Sequence, residues 1–337
     1  MQTPQITVIM PVYNAAQSLA RAVEGILSQS VAALELLLVD DGSTDGSGDL
    51  CRAFARNDPR VRALHQENAG ICAARNHGLR CAKGRYITFC DDDDLLLPNA
   101  LQTLLNLAEK NAADVARTGY RLLREGADGT LRELPHPAGA ACTARRGRDA
   151  GRDYGAFLRS AGPQFVWNAL YRRDVLENIT FPAQCRHGLE DFVFNTAVYA
   201  VCATLAYDPA CTYEHYERAD STSVCQAQTA VDGRVRALPL WAEGEYRAVC
   251  RWCGEAERPA VWNERKAQLI TFLMHQLRDA AAAPAVQRRA WQLLRTTLNR
   301  YPHTRLDFLR IAGQNKKQML AMLLYTTHLQ GLYPHLS

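Results

Sequence analysis

The chain has 337 residues, of which 47% are hydrophobic and 22% charged, an ordinary globular composition that excludes a disordered, collagen-like or coiled-coil polymer. No stretch approaches the ~20 apolar residues of a membrane helix, and the opening MQTPQITVIMPVYN has neither the basic region nor the cleavage site of a signal peptide. The formal charge of +4 is uneven: residues 1–230 carry −4 and residues 231–337 carry +8, an asymmetry that points to an anionic surface or ligand.

In chain order, residues 6–10 form a β-branched run ending at Pro11, and 18–27 carry apolar residues at helical spacing. Residues 34–39 read as a buried strand running into Asp40-Asp41-Gly42-Ser43. Residues 47–55 read as a helix with Ser47 at its N-cap. A strand at 61–65, a helix at 71–82 and a strand at 86–90 follow, the last ending in four aspartates. Pro98 stands where a helix starts, 100–108 continue it, and 114–120 are a further strand. Residues 125–129 are a hairpin turn between short strands. Residues 135–152, rich in Gly, Ala and Arg, read as an exposed loop over the site. From 228 the pattern is helical, divided into about four helices by Pro259, Pro284 and Pro302. Trp241, Tyr246, Trp252, Trp262, Phe272 and Trp291 are its packing residues.

This alternation predicts an α/β fold with a mostly parallel central sheet flanked by helices. Ligands in such sheets bind beyond the C-terminal strand ends. Residues 11–14, 40–45 and 91–94 all fall at such ends.

Each polar motif has a chemical reading. Asp91, Asp92, Asp93 and Asp94 repel one another unless a cation neutralises them, and a hard divalent ion with oxygen ligands does so most simply; the alternative is a solvated acidic loop. Asp40 or Asp41 can accept hydrogen bonds from a base or ribose, or can close an Asx-turn with Asp45 or Ser47 capping the next helix. Glu190 and Asp191 open a helix, whose N-terminus favours the ionised carboxylate a general base needs, although Asp191 can equally serve as a cap.

Together these segments resemble the inverting family 2 glycosyltransferases of the GT-A fold. The resemblance rests on Pro11-Val12-Tyr13-Asn14, Val39-Asp40-Asp41-Gly42-Ser43-Thr44-Asp45, Asn68-Ala69-Gly70 with Ala74-Arg75-Asn76-His77-Gly78, Phe89 to Pro98, and Glu190-Asp191, over roughly residues 5–225. It implies that Pro11, Val12, Tyr13 and Asn14 line a nucleotide pocket and that Asp40, with Asp41 nearby, takes the uracil edge. Asn68, Gly70 and Arg75 would border the nucleotide and diphosphate. Asp91 would face the ribose, Asp93 would bind Mn2+ or Mg2+ with Asp91, and Asp92 would occupy the variable middle position. Asp191 would be the catalytic base, with Glu190 supporting it or replacing it. Trp167 and Asn168 would contact donor sugar or acceptor, though a core aromatic is as good a reading of Trp167. Arg218 would contact phosphate, and His215 would be a further metal ligand or a structural strand histidine.

The resemblance implies transfer of a sugar from a nucleotide-diphosphate donor, a UDP-sugar, to a hydroxyl of a glycan or lipid-linked glycan acceptor in bacterial surface polysaccharide synthesis. No nucleic-acid partner is implied. The alternatives are a nucleotidyltransferase on a related fold, which needs a Gly-rich triphosphate loop absent here, and a non-catalytic sugar-nucleotide or glycan-binding protein. No GxGxxG follows the first strand, which argues against a nicotinamide dehydrogenase. The reading divides the chain into a glycosyltransferase domain, 1–227, and a helical extension, 228–337. Eleven cysteines scattered along the chain suit a reducing cytoplasm, and the lone Cys250/Cys253 pair lacks partners for zinc. Arg288, Arg289, Arg295, Arg300, Arg305, Arg310, Lys316 and Lys317, followed by apolar 320–325, suggest peripheral contact through 284–325 with an anionic cytoplasmic membrane face.

Overall fold

The computed structural model describes residues 3–126, 128–135, 139–160, 162–217 and 228–302. Its elements in chain order are β1 (Ile6–Val12), α1 (Leu19–Leu27), β2 (Leu34–Asp40), α2 (Ser47–Asn57), β3 (Val61–His65), α3 (Ile71–Cys81), β4 (Tyr86–Phe89), β5 (Leu95–Leu96) and α4 (Ala100–Asn111). There follow β6 (Val115–Glu125), β7 (Leu131–Leu134), β8 (Cys142–Arg145), α5 (Ala150–Leu158), β9 (Ala169–Arg172), α6 (Glu190–Tyr199) and β10 (Thr204–Glu217). Three helices close the described chain: α7 (Gln228–Trp252), α8 (Arg258–Asp279) and α9 (Pro284–Leu298).

The strands form one sheet in the order β3-β2-β1-β4-β9-β6-β10-β5, with β7 on β6 and β8 on β10. The parallel pairing expected from the βα alternation holds from β3 to β4. Beyond β4 the sheet is mixed: β9 runs antiparallel between β4 and β6, while β6 and β10 are parallel to each other. β1 and β2 are buried at every position, which is why they read as unbroken apolar runs rather than alternating ones. α1 turns Leu19, Ala22, Val23 and Ile26 into the core, and α4 turns Leu101, Leu104, Leu105 and Ala108.

Two local expectations are corrected. Ser47 does not cap α2: its hydroxyl accepts the Ala15 N–H and donates to Asp45, so it ties two strand-end loops together. Within 139–152, β8 pairs with Thr204–Tyr207 at the start of β10, the edge opposite the acidic motifs, so this segment does not cover the site. The hairpin expected around 125–129 is present between β6 and β7.

The helical region is built onto the sheet layer through α5 and α6. Trp252 donates its indole N–H to the Tyr199 carbonyl and stacks on Tyr154 at 5.3 Å. Glu245 and Arg265 form a buried two-point ion pair at 2.7 and 2.9 Å, and Trp241 donates to the same carboxylate. Of the expected packing residues Trp241, Trp252 and Trp262 are buried, and Tyr246, Phe272 and Trp291 pack half-buried against the core. Pro239 lies inside α7 without ending it, and the chain beyond 302 lies outside the described residues.

α3 approaches β1 closely at Gly78, where a Cβ would stand 2.4 Å from Ile9 Cγ2. The helix cannot sit this deep with a larger residue, and its depth sets the height of Arg75 one turn earlier. Gly78→Ala should therefore destabilise the fold by about 1–3 kcal/mol through overpacking, read as a lower urea midpoint at unchanged m-value.

Candidate active site

The C-terminal ends of β1, β2 and β4 meet at one edge, so three motifs distant in sequence become neighbours. Pro11 and Val12 are buried as the last residues of β1, beside Val39 and Asp40 of β2. Tyr13 and Asn14 are the exposed members of that motif, Tyr13 at 53%. Asn14 takes φ +52° and is pinned by its N–H to Ser43 Oγ and its Oδ1 to the Thr44 N–H.

The two β2 aspartates are buried and do scaffold work. Asp40 accepts the Ser43 N–H at 3.0 Å and contacts His65 Nδ1 at 2.8 Å. Burial works to raise its pKa, but the Ser43 and His65 contacts outweigh it and hold the carboxyl below the ordinary value. Asp41 accepts from the Gln66 side chain and from the backbone N–H groups of Ala69 and Gly70. It thus shapes the loop presenting exposed Asn68, whose backbone lies against Gly42 at φ +73°.

The four consecutive aspartates divide their roles. Asp91 accepts Arg75 Nη2 at 2.9 Å. Asp92 accepts the Tyr13 N–H at 3.0 Å, and burial beside Asp93, Asp91 and Asp94 pushes it up to about 8. The Asp93 carbonyl accepts Arg21 Nη2 at 2.7 Å, and the Arg21 guanidinium covers the Tyr216 ring. Asp94 is fully buried and accepts from Tyr213 OH, His215 and the Tyr216 N–H, all at 2.8 Å. Burial lowers the affinity of His215 for its proton, but the Asp94 carboxylate outweighs it and lifts the imidazole to about 9.

Arg75 is the centre of this edge. Its side chain is 2% exposed and reaches Asp91 at 2.9 Å, Glu190 at 3.2 Å and Asp191 at 2.6 Å. Phe89 and Phe181 lie beside the guanidinium plane at 6.0 and 5.3 Å. Asp191 also accepts the Val166 N–H at 3.2 Å. Burial pushes both α6 carboxyls up against the pull of Arg75, with Glu190 reaching about 7. Leu189, immediately before them, takes φ +69°, so the turn into α6 is held in an unfavourable conformation for a branched side chain.

Several expected site residues therefore change role. The sequence reading puts Arg75 beside the diphosphate; the structure buries it beneath the site, among carboxylates. It puts Trp167 and Asn168 with the acceptor; Trp167 is 2% exposed in a stack with Phe165, Tyr213 and His215, and Asn168 is fully buried between Arg117 and the Thr118 carbonyl. It gives His215 to a metal or to a structural role; its Nδ1 pairs with Asp94, a bond that is compatible with either. Among the described residues no group of three or more His, Cys, Asp or Glu is arranged to hold a metal. Arg218 lies outside the described residues. Sequence reasoning missed Arg21, Asp94 as an anchor, and Arg117, whose one signal is a charged letter inside a buried strand.

With this geometry in place, the comparisons are decisive for the family. The Glycosyl transferase family 2 model matches residues 7–180, which holds the strand-end motifs up to the threshold of α6. The chain belongs to glycosyl transferase family 2. The uncharacterized glycosyltransferase YibD of Escherichia coli K12 is 34% identical over 223 residues, 66% of this chain and 64% of YibD, so the match falls just short of two thirds of that relative's length. The S. aureus TarS fragment 1–349 solved with UDP-GlcNAc superposes with TM-score 0.65 at 18% identity, covering 98% of this chain and 92% of that one. The Pyrobaculum calidifontis mannosyltransferase PcManGT, solved with GDP-Man and Mn2+, gives 0.53 at 19% identity, covering 99% and 87%. At these identities the two structures show a shared GT-A-like fold with its C-terminal helical region.

Removing the Arg75 charge leaves buried carboxylates uncompensated. Arg75→Met should cost about 3–5 kcal/mol, measured by chemical denaturation at pH 7. The loss should shrink at lower pH, as Glu190 and Asp191 take up protons.

Proposed function

We propose that this chain transfers a sugar from a nucleotide-diphosphate donor, a UDP-sugar, to a hydroxyl of a glycan acceptor with inversion, in bacterial surface polysaccharide synthesis. Catalysis falls to the unit 1–227, and 228–337 is an extension that supports it. The observation that carries the reading is the Arg75 bridge, which joins Asp91 of the acidic run to Glu190 and Asp191. Donor-side and base-side groups thus share one buried cation. Support for UDP comes from the TarS complex, and support for sugar transfer from the relatives' naming as glycosyltransferases.

Asp191 is the base in this reading. Its carboxylate would take the proton of the acceptor hydroxyl as that oxygen attacks the anomeric carbon opposite the leaving diphosphate. Exposed Tyr13, Asn14 and Asn68 would bind the nucleoside, with Asp40 and Asp41 holding their loops in place. A cation suits the acidic turn, because its donors are the hard oxygens of four consecutive carboxyl groups. Asp93 and Asp91, with His215 as a further ligand, would hold Mn2+ or Mg2+. Such an ion supplies positive charge that stabilises the departing diphosphate.

A sugar-nucleotide panel with and without EDTA tests this reading. The native chain should hydrolyse or transfer at least one donor in a metal-dependent way, Asp93→Asn should lose metal dependence with activity, and Asp191→Asn should lose transfer by 100-fold or more, on the order of general-base effects. Because burial raises Asp191 and the base must be ionised, activity should fall at a pH clearly above the ordinary carboxylate range of about 4. Full activity in Asp191→Asn, or no donor bound at all, would overturn the assignment.

We further propose peripheral attachment to an anionic membrane face. α9 exposes Arg288 and Arg289 on the side opposite buried Ala290 and Leu294, and the remainder of 284–325 from 303 lies outside the described residues. No helix among the described residues is long and apolar enough to cross a membrane. Flotation should show binding to vesicles containing anionic lipid, weakened by salt and by Arg288→Ala/Arg289→Ala; equal flotation with neutral vesicles would count against it.

A further inference from the structure

An arginine in the middle of a central strand, fully buried, is costly unless its charge has a task. Arg117 of β6 is such a residue. Its Nη1 donates to the Phe165 and Gly162 carbonyls at 2.5 and 3.2 Å and to Asn168 Oδ1 at 2.7 Å. Its Nη2 donates to Tyr171 OH at 3.1 Å and to Asn195 Oδ1 at 2.6 Å. Every one of these partners is neutral, so the hydrogen bonds hold both terminal nitrogens without cancelling the charge, while Nε is buried with no partner.

The partners converge on the two elements that hold Asp191. Asn195 lies one turn beyond Asp191 on α6, and its amide donates to the Gln164 and Phe165 carbonyls. Tyr199, one turn further, donates to the Pro163 carbonyl. The next residue of that same loop, Val166, gives its N–H to Asp191. Arg117 therefore grips the loop at Phe165 and the helix at Asn195, on either side of the base.

Resting on the reading of Asp191 as the base, we infer that Arg117 is a positioning residue for it: a buried positive charge on the sheet side of Asp191 that fixes the 162–168 loop against α6. The groups facing Asp191 are Arg75 from α3, Glu190 from α6, Asp91 after β4, Tyr171 from β9 and Arg117 from β6. Arg75 is shared among three carboxylates, whereas Arg117 has no carboxylate partner among the described residues. Its field lowers Asp191 against the burial that raises it.

The test compares Arg117→Gln, Arg117→Lys and Tyr171→Phe with the native chain. The titration of Asp191 is read by carboxyl-carbon NMR, assigned with Asp191→Asn, and the pH profile of donor turnover is read alongside. Arg117→Gln should move the Asp191 titration and the acidic limb of the profile up by about one pH unit, lowering kcat about tenfold on the acidic side of the limb at unchanged donor KM. Arg117→Lys keeps the charge and should leave the titration near native. Tyr171→Phe removes two hydrogen bonds, the one accepted from Arg117 and the one donated to Asn195, and no charge, so it should leave the limb in place.

If Arg117→Gln does not fold, Asn168→Asp keeps the arginine, sets an anion directly on it, and should raise the Asp191 titration in the same way. A folded Arg117→Gln or Asn168→Asp with an unshifted Asp191, or equal shifts in the Gln and Lys variants, would overturn the inference. If Asp191 shifts as stated but the native chain turns over no sugar nucleotide, the electrostatic coupling stands and the reading of the reaction falls.

Discussion

One buried cation makes the strand-end edge possible. Asp91, Glu190 and Asp191 come from distant parts of the chain, and each is ionisable in a poorly hydrated place. Two unit charges ~4 Å apart at an effective dielectric of ~20 interact by about 4 kcal/mol, so like charges gathered here would push the segments apart. Arg75 offsets that repulsion because its planar fork meets several carboxylates at once. A lysine would offer a point charge and fewer directions. The arginine reaches them only because α3 lies close on β1 at Gly78, and its ring neighbours Phe89 and Phe181 keep water from the guanidinium.

The same constraint explains why neighbouring acids behave differently. In the run 91–94, Asp94 is buried against Tyr213, His215 and Tyr216 and joins the acidic turn to β10. Asp91 is drawn down to Arg75, and Asp92 is held at the Tyr13 backbone. On β2, Asp40 and Asp41 hold two loops by accepting backbone N–H groups. A carboxylate at a strand end thus has two uses, to bind something from outside or to satisfy loop amides that nothing else would reach. Most of the acids here do the second, and that lets the few remaining ones do the first.

Much of this was legible in the chain. Unbroken apolar runs ending in polar motifs identify β1, β2 and β4 and the edge they share, because parallel strands buried on both faces leave no alternation to mislead. The second half of the sheet was less readable: β8 and β9 are four residues each, too short for periodicity, and their antiparallel insertion depends on long-range pairing. Residue type announced that Arg75, Trp167 and His215 mattered but not which way they faced. Trp167 suits a sugar face and equally suits the stack it joins with Phe165, Tyr213 and His215. Arg117 is the opposite case: nothing about its motif is distinctive, yet a charge inside an otherwise buried strand is a physical anomaly that needs a partner or a purpose.

The helical extension belongs in the same chain of causes. α7 lies against the segment that carries Asp191: a Cβ on Gly233 would stand 2.7 Å from the His187 side chain, and one on Gly244 would overlap Thr196 of α6. Gly188 and Leu189, both at positive φ, lie between these contacts. A turn held in that conformation persists only where its surroundings over-determine it. Arg117 and the 162–168 loop fix α6 from the sheet side, Arg75 fixes its first turn from α3, and α7 closes the remaining side. Asp191 is therefore set by three layers of packing, and the extension contributes one of them whatever surface its basic face meets.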